Sequence, residues 1–238
     1  MMRLSRYLAR AGIASRRASE QLILDGRVAV NGQVVRELGT QVDEASDAVT
    51  FDGAPVRIED APFTIMLNKP AGVVTTMSDP QGRPTAASLA PVREHPSLFP
   101  VGRLDADTTG LLLFTTDGDM GHALLHPSHH VPKRYRARVS GRFTEAAAER
   151  LRAGIVLDDG PCAPAQVRVV EEGRLPVVEV VIHEGRKRQV KRMFQAVGCR
   201  VEQLHRASFG PLGLGSLEEG RWRQLTDGEV RALMEAAG

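Results

Sequence analysis

The sequence predicts an α+β fold in two parts, a small helical and hairpin domain over residues 1–60 and a larger domain over residues 61–238 with a mixed, largely antiparallel sheet. Two observations favour this prediction. Short amphipathic helices and a hairpin signal share the first part, whereas the second mixes antiparallel-style strands with separate helices. The chain length of 238 residues, with 42% hydrophobic and 25% charged residues, suits a globular protein with a core of useful size.

The composition excludes several classes. No apolar run approaches the roughly 20 residues that a membrane-spanning helix needs. The basic N-terminus has no continuous apolar segment, so we interpret it as part of the fold and not as a secretory signal. Cys162 and Cys199 are far apart and form no C-x-x-C pair, so we expect a reduced, cytoplasmic protein without a thiolate zinc site.

Charge is distributed unevenly along the chain. Residues 1–36 contain seven arginines and two acidic residues, which is a net charge of +5 in a chain of net charge +2. Such asymmetry points to a partner that carries phosphates. Aromatic residues make up 4% of the chain, which argues against a sheet of the RRM type that stacks bases on aromatic rings.

The first 60 residues predict two short helices and a small sheet. Leu4, Tyr7 and Leu8 recur at helical spacing. Ser15 is placed to cap a second helix, because its hydroxyl can accept from the free amides of the first turn. Asn31-Gly32, between β-branched runs, is the strongest short-range hairpin signal.

The arginines of the second helix, Arg16 and Arg17, fall in its first turn and project outward. A helix N-terminus and a basic patch both attract phosphate. The alternative is a solvated helical face whose arginines serve solubility.

The apolar patterns and turn residues of the larger domain predict a succession of strands and helices. We expect six strands, at residues 63–69, 111–114, 133–141, 163–173, 176–185 and 199–210. We expect helices at residues 87–99, 120–127, 144–155 and 186–198, and a final polar helix.

Two carboxylates, Asp105 and Asp107, stand just before the apolar strand at residues 111–114. One interpretation is that Asp105 caps a turn through the amides of Thr108 and Thr109. A second is that Asp105 is a nucleophile or general base at the edge of a cleft. A third interpretation takes Asp105 and Asp107 as a metal-binding D-x-D pair.

The segment "EGRKRQVKRMF" predicts a strongly basic helix. Lys187 and Lys191 are four residues apart, and apolar side chains occupy the opposite side. One cation could therefore lie against the active-site carboxylate while others meet phosphates. A lysine beside Asp105 would favour the charged form of that carboxylate.

For one tyrosine and two histidines, a structural role is an alternative to a functional one. Tyr135 is either a half-buried strand aromatic or a ring that stacks on an extruded base, with a hydroxyl for proton transfer. His122 and His126 are four residues apart, but no H-E-x-x-H pattern accompanies them, and we expect no metal site.

The N-terminal run "RLSRYLARAGIASRRASEQLILDGRVAVNG" resembles the S4 RNA-binding module over nearly its whole length. The resemblance implies that Arg16 and Arg17 face an RNA backbone. Contacts of this kind supply affinity and little sequence readout.

Across the whole chain, "LNKPAGVV", "GRLDADTTGLLLFTTDG", "KRYRARV", "EGRKRQVKRMFQAVG" and "LHRASFGPLGLG" occur in order. Together they resemble the RsuA/RluB-type ribosomal RNA pseudouridine synthases. The resemblance implies the following site: Asp105 as the catalytic residue, Tyr135 as the strand tyrosine, Lys191 as the basic partner, Leu204 beside the target base, and Arg103 on the RNA backbone or opening the base stack. Arg188 stands where the family commonly has histidine, which puts any role of Arg188 in doubt.

The implied activity is the isomerisation of a specific uridine in ribosomal RNA to pseudouridine, without cofactor or metal. The expected partner is small- or large-subunit ribosomal RNA, free or in an assembly intermediate, and we expect a monomer. Two other classes stay open at this point. One is a non-catalytic RNA-binding or ribosome-assembly factor, and the other is a metal-dependent sugar or phosphate enzyme that uses Asp105 and Asp107.

Overall fold

The computed structural model describes residues 1–58 and 61–238 and divides into two units. The first unit comprises Met1–Thr64, Pro91–Phe99 and Thr115–Gly118, and the second comprises Ile65–Ala90, Pro100–Phe114 and Asp119–Gly238. The linker expected near residues 59–62 falls partly on residues 59 and 60, which lie outside the described residues. The domain boundary after residue 60 therefore stays a prediction.

The first unit begins with a short strand and the two predicted helices. Strand β1 (Met2–Arg3) leads into helix α1 (Leu4–Arg10), and helix α2 (Arg16–Leu24) follows. The Ala18 amide donates to the Ser15 hydroxyl at 3.3 Å, which confirms the predicted cap.

Short strands complete the first unit: β2 (Val28–Val30), β3 (Gln33–Val35), β4 (Gln41–Val42), β5 (Val49–Phe51) and β6 (Ala54–Pro55). The predicted hairpin is confirmed, because β2 pairs with β3 across Asn31 and Gly32, whose φ angles are 49° and 81°. The core of the unit is formed by apolar side chains from its helices and strands, among them Leu4, Leu8, Ile23, Val28, Val42 and Val49.

The elements from residue 64 onward are β7 (Thr64–Lys69), β8 (Phe99–Val101), β9 (Thr108–Thr115), α3 (Gly118–Leu125), β10 (Lys133–Ser140), α4 (Glu145–Arg152), β11 (Val156–Leu157), β12 (Gly160–Pro161), β13 (Gln166–Glu171), β14 (Val177–Ile182), α5 (Gln189–Ala196), β15 (Arg200–Phe209), β16 (Leu212–Gly213), β17 (Trp222–Gln224) and α6 (Asp227–Glu235). None of the helices in the described ranges is both long and apolar enough to cross a bilayer.

The large sheet has the strand order β13-β14-β10-β15-β9-β7-β17, with β16 beside β15 and β8 beside β9. Strands β9 and β15 run parallel, and Leu204 pairs with Thr108. The pairs of β10 with β14 and β15, of β13 with β14 and of β17 with β7 are antiparallel. The sheet is therefore mixed and largely antiparallel, as predicted.

The parallel contact between β9 and β15 requires a glycine. Gly110 has φ +106°, and a Cβ atom at this position would lie 2.3 Å from the carbonyl oxygen of Arg206. Any other residue would force the two strands apart. This close approach places the start of β9 directly beside Leu204.

Two helical predictions are wrong in part. The helix predicted at residues 87–99 is replaced by a 3₁₀ turn at Ala86–Leu89, by further turns and by the start of β8, because Pro91 and Pro96 lack the amide hydrogen that a helix needs. Helix α5 begins at Gln189, and Arg188 at its N-cap has a left-handed φ of 51°. Lys187 therefore precedes the helix and does not share a helical face with Lys191.

Candidate active site

Asp105 lies in the loop between β8 and β9, and backbone contacts hold the loop on both sides of it. The Thr75 hydroxyl donates to the Leu104 carbonyl at 2.8 Å and accepts from the Leu104 amide at 3.2 Å. The Gly72 amide donates to the Ala106 carbonyl at 2.8 Å. The Thr108 amide donates to the backbone oxygen of Asp105 at 3.0 Å. The turn therefore closes on backbone oxygen, which leaves the Asp105 carboxylate to other partners.

Lys69 supports the same loop from inside the protein. Its side chain is fully buried, and its ammonium donates to the carbonyl oxygens of Pro70 at 2.7 Å, Val73 at 2.8 Å and Ala106 at 3.3 Å. Burial lowers the pKa of Lys69 to about 8, although the charges of Asp107 and Asp105 oppose this shift. No role for Lys69 was predicted from the sequence, although the signal was present as a lysine that ends an apolar strand just before Pro70.

Replacing Lys69 with methionine is expected to lower the free energy of unfolding by about 2 kcal/mol at pH 7, because three carbonyl oxygens lose a charged donor. The pKa of about 8 in the folded protein lies below the ordinary value of 10.5. Between these values the unfolded chain binds more protons, so the contribution of Lys69 to stability rises with pH. Urea unfolding at pH 7.5 and pH 10 should therefore show a wider gap between wild type and variant at pH 10.

The matched control is Lys187→Met, because Lys187 is exposed and makes no polar contact within the part of the chain that the structure describes. Its free energy of unfolding should stay within about 0.5 kcal/mol of wild type. A gap between wild type and Lys69→Met that stays constant or narrows with pH would contradict the proposed linkage.

Two cations face the Asp105 carboxylate. The Lys191 ammonium, carried by α5, lies 3.6 Å from Asp105 Oδ2, and Arg188 Nη1 lies 3.9 Å from the same oxygen. The side chain of Lys191 is 11% exposed and that of Asp105 is 31% exposed. The long-range contact between α5 and the loop before β9 therefore creates a half-open site in which two positive groups approach the Asp105 carboxylate.

Asp107 competes with Asp105 for Lys191. Its carboxylate accepts a hydrogen bond from the Lys191 ammonium. Burial alone would raise the pKa of Asp107, but the hydrogen bond and charge of Lys191 and the charge of Arg188 outweigh it, and the pKa is lowered. From the sequence, Asp107 was one member of a candidate D-x-D metal pair, whereas in the structure its carboxylate pairs with Lys191.

Tyr135 and Leu204 lie on neighbouring strands of the sheet, β10 and β15. Leu204 pairs with Ala137 on one side and with Thr108 on the other. Tyr135 is two residues from Ala137, so its side chain shares a sheet face with Leu204 at diagonal spacing. Both side chains are buried, with 8% and 6% exposure. The register thus places an aromatic and an apolar group together, next to the start of β9.

The three remaining predicted residues are exposed arginines. Arg103 stands two residues before Asp105 and makes no polar contact within the described residues. Arg16 and Arg17 lie in the first turn of α2, in the first unit. The second unit therefore contains Asp105, Lys191, Tyr135, Leu204 and Arg103, and the first unit contains the two arginines of α2.

Asp105 and Asp107, the two carboxylates of the D-x-D pair, both form ion pairs with the Lys191 ammonium. The cation that these carboxylates share is therefore a side chain of this protein. Within residues 1–58 and 61–238, no group of three or more His, Cys, Asp or Glu side chains is placed to hold a metal ion.

Comparison with protein-family models finds two matches. The model of RNA pseudouridylate synthases matches residues 64–196, and the model of the S4 domain matches residues 2–49. The first match covers more than half of the chain and includes Asp105, Tyr135 and Lys191.

Curated relatives align over the full chain. An uncharacterized RNA pseudouridine synthase of Mycobacterium tuberculosis is 48% identical, and the alignment covers 100% of this chain and 94% of the relative. The ribosomal large subunit pseudouridine synthase B of Bacillus subtilis is 40% identical, with coverage of 100% and 97%. Among solved structures, a crystal structure of a pseudouridylate synthase is 33% identical, has a TM-score of 0.71, and covers 98% of this chain and 100% of its own.

Proposed function

The chain belongs to the RNA pseudouridylate synthase family and has an N-terminal S4 domain, and from this premise we propose that it converts a specific uridine of ribosomal RNA to pseudouridine, with Asp105 as the catalytic residue acting on a flipped-out base. The family establishes an RNA-modifying isomerase. The ribosomal substrate and the roles of individual residues are the proposal.

The observation that supports Asp105 most directly is its position beside Lys191. Asp105 is held by backbone contacts that do not use its carboxylate, and a cation lies 3.6 Å from that carboxylate. A positioned carboxylate in a partly water-excluded site can act as a nucleophile or as a base. Asp105 is therefore the group that reacts, by attack on the ribose C1′ or the base or by removal of a ribose proton.

The reaction itself needs no external group. The glycosidic bond between N1 and C1′ breaks, the uracil rotates, and C5 bonds to C1′. C5 then loses its hydrogen as a proton and N1 takes up a proton, so the product is an isomer of uridine. The base must first leave its stack, which costs a few kcal/mol. Tyr135 and Leu204 supply an aromatic and an apolar surface that can offset part of this cost, and the Tyr135 hydroxyl is available for proton transfer.

The exposed arginines are proposed to bind RNA rather than to react. Arg103 is close in sequence to Asp105 and contacts the backbone around the target or helps to open the stack. Arg16 and Arg17 add phosphate contacts through the S4 domain, which raise affinity without reading sequence. A monomer in the cytoplasm that acts on free RNA or on an assembly intermediate stays a prediction.

The test is tritium release from uridine C5 in unmodified transcripts of small- and large-subunit ribosomal RNA, with EDTA present. Large-subunit RNA is the first substrate to test, because the Bacillus subtilis relative is named for that subunit. We expect release from one RNA. Wild-type protein that binds both RNAs and partly assembled subunits without releasing tritium would contradict the proposed reaction.

The two other classes predict different results. A non-catalytic assembly factor would keep its full cellular function after Asp105→Asn. A metal-dependent enzyme would lose activity in EDTA and regain it with Mg²⁺ or Mn²⁺.

A further inference from the structure

Four arginines project from one face of the large sheet. Arg134, Arg136 and Arg138 alternate along β10 with buried residues, and Arg168 extends from β13 at the end of the sheet. Their side chains are 48%, 55%, 39% and 66% exposed. Arg138 has a partner of its own, because it lies 3.3 Å from Glu171. We call this set of four side chains the arginine face.

The other three arginines converge on one carboxylate. Glu179 on β14 is 4% exposed and accepts a hydrogen bond from Arg168 at 2.8 Å. Arg134 lies 3.6 Å and Arg136 lies 3.9 Å from the same carboxylate. Within the described residues, Glu179 is the acidic side chain that all three share. One negative charge opposes three positive charges, so the arginine face keeps an excess of about two positive charges.

The surface beside these arginines is open and concave. A depression of about 360 Å³ is lined by Arg134, Gln166, Val167, Arg168, Glu179 and Val181. Guanidinium and amide groups at its wall are donors suited to phosphate oxygens. None of these six described residues carries an aromatic ring on which a base could stack. The chemistry of the depression therefore fits a phosphate backbone and not an unstacked base.

The arginine face is separated from the candidate active site by the sheet. Tyr135 lies between Arg134 and Arg136 on β10, and neighbouring residues of a strand point to opposite faces. Tyr135 is buried, whereas its two neighbours are exposed. A nucleotide held against Tyr135 therefore does not bring its own phosphate to the arginine face.

We propose that the arginine face binds phosphate groups of the RNA backbone in a part of the substrate that flanks the target uridine. That the bound phosphates belong to RNA rests on the proposed function. Arginine pairs with phosphate oxygens through two parallel hydrogen bonds, and each neutralised phosphate releases condensed counterions. The arginine face thus contributes affinity for a large structured RNA and leaves the chemical step unchanged.

The test compares Arg134→Gln/Arg136→Gln with wild type in binding to full-length large-subunit RNA across a salt series. These two arginines are beyond hydrogen-bond distance of Glu179, so the variant keeps the Arg168–Glu179 bond. Loss of two phosphate contacts should weaken binding about 30-fold at 0.1 M salt and reduce the slope of log K against log salt by about 1.5. Turnover at saturating RNA should equal that of wild type.

Three comparisons make the test specific. Arg231→Gln, the control for each single substitution, removes one arginine charge from an exposed position on α6 and should bind within about 2-fold of wild type. Arg134→Lys/Arg136→Lys keeps the charge and should recover most of the salt slope. A short fragment that carries only the mapped target loop should bind the double glutamine variant and wild type alike.

If the double variant fails to fold, the two single variants are each expected to reduce the slope by about 0.8.

An affinity and a slope equal to those of Arg231→Gln would overturn the proposal. So would an equal loss on the short fragment, which would place the arginines at the target itself. Unchanged RNA affinity with lost binding to protein-containing subunits would assign the face to a protein partner. Wild-type protein that binds RNA but releases no tritium would instead refute the proposed function and leave the binding result valid.

Discussion

Asp105→Asn is expected to reduce the turnover number by about 10⁴-fold or more while RNA affinity stays within a few-fold of wild type. Removing the reacting group of an enzyme costs this much or more, whereas residual rate comes from binding and orientation. The amide has the size of the carboxylate, and the loop around residue 105 is held through backbone atoms and Thr75. The variant should therefore fold and bind normally.

Single-turnover tritium release and filter binding with the same RNA separate these two effects. The matched control is Asp107→Asn, which removes an equal charge two residues away. Asp107 pairs with Lys191 but is 65% exposed, and we expect its substitution to reduce turnover by less than about 10-fold. Equal losses in the two variants would show that the charge balance around Lys191 matters and that Asp105 itself does not react.

Lys191→Met is expected to reduce turnover by about 10²- to 10³-fold, which is the usual loss when one positioned charged donor is removed from a reacting centre. The change removes the ammonium that forms ion pairs with both Asp105 and Asp107. Asp107 also loses the hydrogen bond that lowers its pKa, so that pKa should rise towards its ordinary value.

The measurements are single-turnover rates and the carboxyl titration of Asp107 by NMR in both proteins. Lys191→Arg keeps the charge and should retain more activity than the methionine variant, although its different geometry prevents full recovery. Arg188→Gln is the second comparison, because Arg188 also approaches Asp105 but is 50% exposed. A wild-type rate in Lys191→Met would remove Lys191 from the mechanism.

Helix caps and hairpin turns could be predicted because the residues that form them are close together in the sequence. The Thr144 hydroxyl accepts from the Ala147 amide at 3.2 Å and begins α4 as expected. The Asn31-Gly32 hairpin also has the predicted conformation. Caps and tight turns depend on residues three or four apart, so a short stretch of sequence contains the whole interaction.

The local predictions failed where a breaker or a special backbone angle overrode an apolar pattern. Pro91 and Pro96 limit the segment after Ala86 to a 3₁₀ turn. The left-handed Arg188 delays the start of α5 until Gln189. Because α5 begins at Gln189, Lys187 lies outside the helix. Arg188, at the N-cap of the helix, lies near the Asp105 carboxylate.

The α+β class, the order of most strands and helices, and the resemblance to the family to which the chain belongs could be predicted from the residues alone. Several contacts within the site could not be predicted without the three-dimensional packing. Lys191 meets Asp107, which is 84 positions away, as well as Asp105. Buried Lys69 supports the loop at Ala106, 37 positions away. No periodicity or spacing encodes such pairs, because their distances are set by the packing of α5 against the sheet and by the position of β7 within it.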